Sequence, residues 1–509
     1  MAAGTLPEAI ASQAYRQDAT VTFGTSPRRD TLHYPLLAER IAAAAGGFAA
    51  QGVRPGDRVL LRISSSRDGV LALLGLMHLG AVPVSVKPRV PGTITGQYTA
   101  LVARQQGARH AYRISGPGLR EITLIEDARP VREPAEADPE DIAFVQYSSG
   151  STGMPRPIPL SHRALVGNTE AIRAVAGMRP GHSGLIALPL HHDMGLVGLL
   201  SGLAGALNVV VEEPGTFLRR PMAALRLLRD APAVHSALPD FMLRYLAARI
   251  GEAARADGPD PGLLRRWHTV FSGAEPIRPD SVRDFLAATG PWGFPPSALV
   301  FCYGLAEAGL MATSHRYTDE APNFAEEPGT GAAPGAACLG PPVPGLDLEI
   351  VDEHGERRPE GELGTVRLRG RTLFNGYDGA TDHRVQWFDT GDLGRLRAGR
   401  LYLHGRRGDR VSVNGVNVFV VDIEHRVTTE PGVAECVALA HQDGFTVLVV
   451  PERTATVDTG AVAAGIAADF GVAPRAVLQV KRGGIARTAS GKPARTHMTA
   501  QLEKGIPFT

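Results

Sequence analysis

The chain has 509 residues, with 53 Lys and Arg against 52 Asp and Glu, so its formal net charge is +1. A balance this even gives no electrostatic reason to bind nucleic acid or an anionic membrane, and we expect small-molecule partners. The length exceeds what one hydrophobic core usually holds, which predicts several domains. Three distant cysteines without a CxxC spacing exclude a disulfide scaffold or a zinc site and favour a reducing, cytoplasmic environment.

The chain begins with alternating helices and strands. The pattern predicts a helix from Leu36, a turn at Arg54–Asp57, a strand at Val59–Ile63, a helix at Gly69–Leu79 and a strand at Val82–Val86. Short apolar strands on either side of a helix are typical of a parallel sheet with covered faces.

The same rhythm continues through the middle of the chain. Helical or loop stretches, Pro221–Arg229 and Asp280–Thr289 among them, separate four runs that we predict as strands: Leu185–Leu188, Asn208–Val211, His268–Phe271 and Ala298–Phe301. The stretch Met194–Val211 is long and apolar enough to span a membrane. Its four glycines and its β-branched end favour a buried helix that leads into a buried strand.

Two further changes of pattern divide the rest of the chain. A loop rich in Pro, Gly and Ala, residues 321–345, precedes short strands at Asp347–Val351 and Thr365–Arg369, which predict an antiparallel unit. Beyond residue 409 the pattern becomes α+β, with predicted helices and strands at Asp422–Val427, Glu435–Ala440, Thr446–Val450, Thr459–Asp469 and Val477–Lys481. We therefore predict a large domain over residues 1–408 and a small one over residues 409–509.

One loop is rich in small and hydroxylated residues. The tract YSSGSTGMPRPI, residues 147–158, lets successive backbone N–H groups converge on an anion, while hydroxyls add donors without bulk. It lacks the GK[ST] ending of a Walker A loop, and a solvated turn is the alternative interpretation. The predicted phosphate-binding residues are Ser148, Ser149, Gly150, Ser151, Thr152, Gly153 and Arg156.

Five more tracts follow this loop. In chain order they are FSGAEPI (271–277), FCYGLAEAG (301–309), WFDTGDLG (387–394), LHGRRGDRVSVNGVN (403–417) and RTASGK (487–492). With the opening loop, this order resembles the adenylate-forming superfamily of acyl-CoA synthetases, fatty acyl-AMP ligases and nonribosomal adenylation domains. The tracts LPLHHDMGL (188–196) and FLRRP (217–221) look most like the acyl-AMP ligase branch.

The resemblance implies an α/β fold. It consists of a large N-terminal domain of parallel-rich αβ subdomains with an antiparallel β unit, and a small, mobile α+β C-terminal domain. It also implies an enzyme that uses ATP and Mg²⁺ to turn a carboxylic acid into an acyl-adenylate with release of pyrophosphate. The acyl group then passes to the thiol of coenzyme A or of a carrier protein. A carboxylate is already a nucleophile at neutral pH, so this chemistry needs no general base.

The resemblance also implies roles for single residues. Lys492 would reach the carboxylate and the α-phosphate, and Glu307 would hold Mg²⁺. Asp392 would accept from the ribose hydroxyls, and Arg406 would donate to the ribose or a phosphate. His192 matches a histidine at the rim of the acyl pocket.

The remaining assignments concern adenine, the acyl pocket and the hinge. Adenine would lie between Tyr303 and the backbone of Gly273, Ala274 and Glu275, and Gly304 is a further residue expected to bind the nucleotide. The acyl pocket would be formed by His235, Phe241, Gly273 and Phe301. Asp409 matches the hinge about which the small domain alternates between two orientations.

Some positions depart from the pattern of the family. The phosphate loop has Arg156–Pro157 where relatives have Lys–Gly, Gly408 replaces a lysine before the hinge, Ala306 replaces a threonine, and His191 stands where a tyrosine is usual. Acyl-AMP ligases carry an insertion after the YGLAEA tract, but only 338 − 307 = 31 positions separate Glu307 from Cys338. Two alternatives therefore stay open: an enzyme that only adenylates and delivers to a separate protein, and a nucleotide-binding subunit without catalysis.

Overall fold

The computed structural model describes residues 4–25, 29–86, 95–115, 118–147, 156–318, 323–325, 336–377, 381–413, 416–441, 444–487, 493–506 and 508. The predicted fold class is confirmed, because two large parallel-rich sheets are combined with a separate antiparallel sheet. Among the described residues, none of the helices has both the length and the apolar character needed to cross a bilayer.

The larger sheet has eight strands, of which the central six are parallel and each edge strand is antiparallel. In spatial order the strands are Met311–Arg316, Leu299–Gly304, Trp267–Ser272, Val234–Ala237, Ser183–Ile186, Asn208–Val211, Thr20–Phe23 and Asp30–His33. The central strands are almost wholly buried, since helices cover the sheet.

The second sheet has six strands, parallel except for its last edge strand. They are Arg120–Ile122, His110–Tyr112, Arg58–Leu61, Val82–Ser85, Ile142–Tyr147 and Pro157–Ser161, in spatial order. The last two form an antiparallel pair on either side of the predicted phosphate loop.

The described residues before the antiparallel unit form the α-helices Leu6–Ala11, Tyr34–Ala50, Arg67–His78, Thr95–Gln106, His162–Ala176, Asp193–Ala204, Pro214–Arg219, Pro221–Leu227, Asp240–Asp257 and Pro279–Thr289. Ser66 and Ser161 cap two of them by accepting a bond from a backbone N–H of the first turn. The membrane-like stretch is the helix Asp193–Ala204 followed by the strand Asn208–Val211, as predicted.

The predicted antiparallel unit is a four-stranded sheet of Leu346–Val351, Gly364–Gly370, Phe388–Arg397 and Arg400–Arg406. Beyond it lie the hairpin Arg410–Val413 with Val416–Phe419, the sheet Val433–His441, Gly444–Pro451 and Ala476–Gln479, and the helices Val420–Thr428, Thr459–Phe470 and Arg495–Glu503. Two apolar clusters in this part contain only residues beyond 410. They support the boundary at Asp409, which stays a prediction.

Candidate active site

A buried carboxylate connects the larger parallel sheet to the antiparallel sheet. The hydroxyl of Tyr303, near the end of a central strand, donates a hydrogen bond of 2.7 Å to Oδ2 of Asp392. On the other side, Nε of Arg406 lies 3.3 Å from Oδ1 of Asp392, on the neighbouring antiparallel strand. Burial and the adjacent carboxylate raise the pKa of Tyr303, so its hydroxyl stays protonated and remains a donor.

The local sequence explains why Asp392 is held in this position. Gly391 adopts a φ of +74°, which favours glycine, and its N–H donates to Asp389. Thr390 accepts from the N–H of Asp392. The Thr-Gly-Asp tract thus bends the strand locally and turns the side chain of Asp392 toward Tyr303. Asp392 is only 6% exposed.

A second carboxylate lies just beyond the same central strand. Glu307 sits in the short 3-10 turn Ala306–Ala308 and accepts a hydrogen bond of 2.7 Å from the hydroxyl of Tyr377. Its burial raises its pKa, whereas the bond from Tyr377 acts in the opposite direction. The guanidinium of Arg156, near the end of the predicted phosphate loop, lies 5.8 Å from the centroid of the Tyr377 ring. Tyr377 therefore links Arg156 to Glu307, a role that no sequence motif indicated.

Arg406 acts electrostatically on both carboxylate groups. Its positive charge lowers the pKa values of Tyr303, Glu307 and Tyr377, and so opposes the effect of their burial. More than half of the Arg406 side chain is exposed. The structure thus brings together Arg156, Glu307, Asp392 and Arg406, which the sequence spreads over 250 positions, from 156 to 406.

An apolar cavity opens beside these groups. Its wall includes Gly273, Ala274, Tyr303 and Gly304, and the helix Asp193–Ala204 contributes lining residues from its first turn to its last. A Cβ atom on Gly273 would lie 2.6 Å from the carbonyl oxygen of Cys302, so only glycine fits there. The cavity therefore reaches the backbone segment that was predicted to bind adenine.

The predicted pocket residues divide into two groups. His235 and Gly273 line the cavity. Phe241 is 45% exposed at the start of the helix Asp240–Asp257 and lies outside the lining. Phe301 is fully buried against Phe324 and also contributes no surface to the cavity.

The position of Phe301 has a simple cause. Successive side chains of a strand point to opposite faces of the sheet. Cys302, one position later, faces the cavity, so Phe301 faces away from it. Cys302 is the lining residue that sequence reasoning missed at this position.

Three other predicted residues have defined positions near the cavity. Glu275 accepts a hydrogen bond of 2.7 Å from the N–H of Phe241, so its side chain is engaged away from the cavity and only its backbone is available to adenine. His192 precedes the first turn of the helix Asp193–Ala204, and its ring centroid lies 4.5 Å from that of His191. Asp193, which follows His192, lines the cavity.

The remaining predicted residues cannot be placed in the same way. The loop residues 148–153 and Lys492 lie outside the described residues. Asp409 ends the 3-10 turn Arg407–Asp409, at the junction between the antiparallel sheet and the hairpin Arg410–Val413/Val416–Phe419. Its role as a hinge stays a prediction.

Comparison with known proteins shows the family to which this chain belongs. Residues 9–378 match the family model described as AMP-binding enzyme. The chain belongs to this family. The resemblance to the adenylate-forming superfamily, and to its acyl-AMP ligase branch, is thereby confirmed.

Relatives of this AMP-binding enzyme match nearly its whole length. It is 28% identical to the long-chain-fatty-acid–AMP ligase FadD32 of Mycolicibacterium smegmatis, over 92% of this chain and 89% of the relative. It is 25% identical to the medium-chain-fatty-acid–[acyl-carrier-protein] ligase JamA of Moorena producens, over 94% and 90% of the two chains. A solved structure from a study of fatty acyl-adenylate ligases of E. coli and L. pneumophila superimposes with a TM-score of 0.84 at 27% identity, covering 98% of each chain.

Proposed function

We propose that this AMP-binding enzyme joins a carboxylic acid to ATP, forming an acyl-adenylate and releasing pyrophosphate. One observation carries the proposal: an apolar cavity opens at Tyr303 and Gly304, beside the two carboxylates Asp392 and Glu307. A ligand that is apolar at one end and carries ribose hydroxyls and a phosphate at the other matches this arrangement. An acyl-adenylate is such a ligand.

The electrostatics of the site fit an attack of one anion on another. Both reactants are negatively charged, so cations must offset their repulsion. Arg156 and Arg406 lie at the site, and we assign the third cation to Lys492, by family resemblance. In this scheme Asp392 holds the ribose through hydroxyl donors, while Tyr303 fixes the orientation of Asp392.

The site also fits Mg²⁺. Within the described part of the chain, no three His, Cys, Asp or Glu side chains converge as a metal-binding group. Mg²⁺ usually binds one or two protein carboxylates and completes its shell with water and substrate phosphates, so Glu307 alone is a sufficient protein ligand. When bound, the ion would offset charge on the phosphates. Tyr377 would orient the Glu307 carboxylate.

We further propose that the acyl group passes to a thiol, of coenzyme A or of a carrier protein. The names of the two curated relatives support either a ligase that ends at the acyl-AMP or one that charges an acyl carrier protein. An enzyme that only adenylates and delivers to a separate protein is therefore the second candidate. A thiol is only partly ionised at neutral pH, so transfer depends on orienting it against the activated acyl group.

Carboxylate-dependent exchange between ATP and labelled pyrophosphate tests the first step. Asp392→Asn should lower exchange at least about tenfold, because a charged acceptor to the ribose becomes neutral. Asp347→Asn is the matched control: Asp347 lies in the same antiparallel sheet and forms an exposed ion pair with Arg369 at 2.9 Å. It should leave exchange within about twofold. No exchange with any acid, while ATP still binds, would instead identify a nucleotide-binding subunit.

Product analysis separates the two candidates for the second step. The enzyme is incubated with ATP and acid, with coenzyme A, with a phosphopantetheinyl carrier protein, or with neither. Thioester formed with coenzyme A or the carrier supports transfer by this enzyme. Accumulation of acyl-AMP in all three mixtures would support adenylation alone.

A further inference from the structure

A histidine stands in the otherwise apolar wall of the cavity. His235 lies on the central strand Val234–Ala237 and is 2% exposed. Its register partner on the neighbouring parallel strand is Gly184, which also lines the cavity. Residues in register on parallel strands point to the same face, so the missing side chain of Gly184 leaves space directly beside the imidazole.

One nitrogen of this imidazole has no hydrogen-bond partner within the part of the chain that the structure describes. Nε2 of His235 lies 3.0 Å from Nδ1 of His182, and one of the two donates to the other. Nδ1 of His235 is buried and forms no hydrogen bond with the described residues. Two hydroxyls of the same cavity wall do have partners: that of Ser236 donates to the carbonyl oxygen of Leu185, and that of Tyr303 donates to Asp392. A buried polar atom left unpaired is costly, which points to a ligand that supplies the missing partner.

The histidine lies well away from Gly273, beside which the proposed function places the reacting carboxylate. His235 is in register with Thr269 on the neighbouring strand, and Gly273 follows Thr269 by four residues. Four residues of strand span roughly 13 Å. A group at His235 would thus belong to the distal part of an acyl chain whose carboxylate lies at Gly273.

We propose that the acyl chain accepted by this enzyme carries a neutral oxygen, as a hydroxyl or a carbonyl, that hydrogen-bonds Nδ1 of His235. The inference rests on the proposed function, since it assumes that the cavity holds the acyl chain. It makes His235 a specificity-determining residue, while the apolar remainder of the wall accepts the methylene groups.

The distal group is neutral because the surroundings of His235 disfavour a positive charge on its imidazole. Burial lowers the pKa of His235 to about 3, and the neighbouring His182, His268 and Arg316 act in the same direction. A neutral imidazole offers one hydrogen bond but no positive charge to a second carboxylate. A dicarboxylic acid is therefore not the expected substrate.

Pyrophosphate exchange with matched acids tests the proposal. The panel holds unbranched acids of one length with no substituent, with a hydroxyl or keto group at successive distal positions, and with a terminal carboxylate. At the best position, kcat/KM of the wild-type enzyme should exceed that of the parent acid at least about tenfold. In His235→Leu this preference should vanish because kcat/KM falls for the oxygenated acid, and not only because it rises for the parent acid.

Controls separate specificity from a general defect. Ser236→Ala, whose hydroxyl is already paired with backbone, should keep the preference of the wild type. His235→Gln, which still donates and accepts, should keep part of it, and it replaces the leucine variant if that variant does not fold. Equal use of parent and oxygenated acids at every position, a persistent preference in His235→Leu, or a preference for the dicarboxylic acid would each overturn the proposal. Exchange with no acid at all would overturn the proposed function itself.

Discussion

The helix that covers the cavity offers a direct test of where the acyl chain lies. Gly198 occupies the middle of the helix Asp193–Ala204 and lines the cavity. A Cβ atom there would lie 3.5 Å from Cδ1 of Ile186, an ordinary contact. Gly198→Leu can therefore be built without a backbone clash, and the rest of its side chain must enter the cavity.

The two expected effects of Gly198→Leu have opposite signs. Replacing a glycine inside a helix by leucine stabilises the helix by up to about 1 kcal/mol. Intrusion of a side chain into an occupied pocket costs about 1–3 kcal/mol, which corresponds to roughly 5- to 150-fold in kcat/KM for acids that fill the cavity. Short acids that leave room for the leucine should change less than about twofold. The variant should thus be at least as stable as the wild type, yet selective for short chains.

Exchange kinetics across a series of chain lengths, together with the melting temperature, measure both effects. Gly251→Leu is the matched control, because Gly251 lies inside the helix Asp240–Asp257 and does not line the cavity. A Cβ atom there would meet only the end of the Arg255 side chain, at 3.6 Å. Equal loss for short and long acids in Gly198→Leu, or the same chain-length effect in Gly251→Leu, would show that the acyl chain does not bind along this helix.

Three further predictions concern other parts of the chain. Lys492→Ala should lower exchange by orders of magnitude with ATP affinity nearly unchanged, because the charge of Lys492 acts in the transition state. Lys504→Ala is the control. Near-normal exchange in Lys492→Ala would remove Lys492 from the mechanism. Asp409→Pro should restrict one domain orientation and damage one half-reaction more than the other. Separate assays of exchange and of thioester formation measure the two half-reactions, and an equal loss of both would count against a hinge. The His235 pKa, about 3, lies below its ordinary value, so the folded state loses stability as pH falls below about 6.5. Between pH 7 and pH 5, His235→Leu should therefore lose about 1–2 kcal/mol less than the wild type, seen as a smaller drop in melting temperature; equal drops would contradict the buried neutral state.

The sequence predicted the strands with strong local signals and missed those defined by distant partners. Val82–Val86 and Asn208–Val211 were found almost to the residue, because their apolar and β-branched side chains are buried. Thr20–Phe23 was missed, since its strand character depends on pairing with Asn208–Val211, nearly 190 positions away. Val234–Ala237 was missed because His235 and Ser236 look polar, although His182 and a backbone carbonyl pair with them inside the fold.

The candidate site shows the same division. The motifs identified Asp392, Glu307 and Tyr303, since each lies in a tract whose chemistry is local. The partners that position them are not readable from the sequence: Tyr377 meets Glu307 from 70 positions away. The choice of Cys302 over Phe301 for the cavity depends on which face of the sheet each side chain occupies, and only the strand register decides that.

The unusual Pro157 illustrates how an apparent defect of the phosphate loop is compatible with the fold. Proline cannot donate a backbone hydrogen bond, which would disrupt a central strand. Here Pro157 is the first residue of the edge strand Pro157–Ser161, opposite Tyr147, where proline is tolerated. Its fixed φ anchors the end of the loop, and Arg156 beside it reaches the ring of Tyr377, the side chain that also binds Glu307. The loop therefore gives up one backbone donor while it keeps a cation in contact with the group that positions the proposed Mg²⁺ ligand.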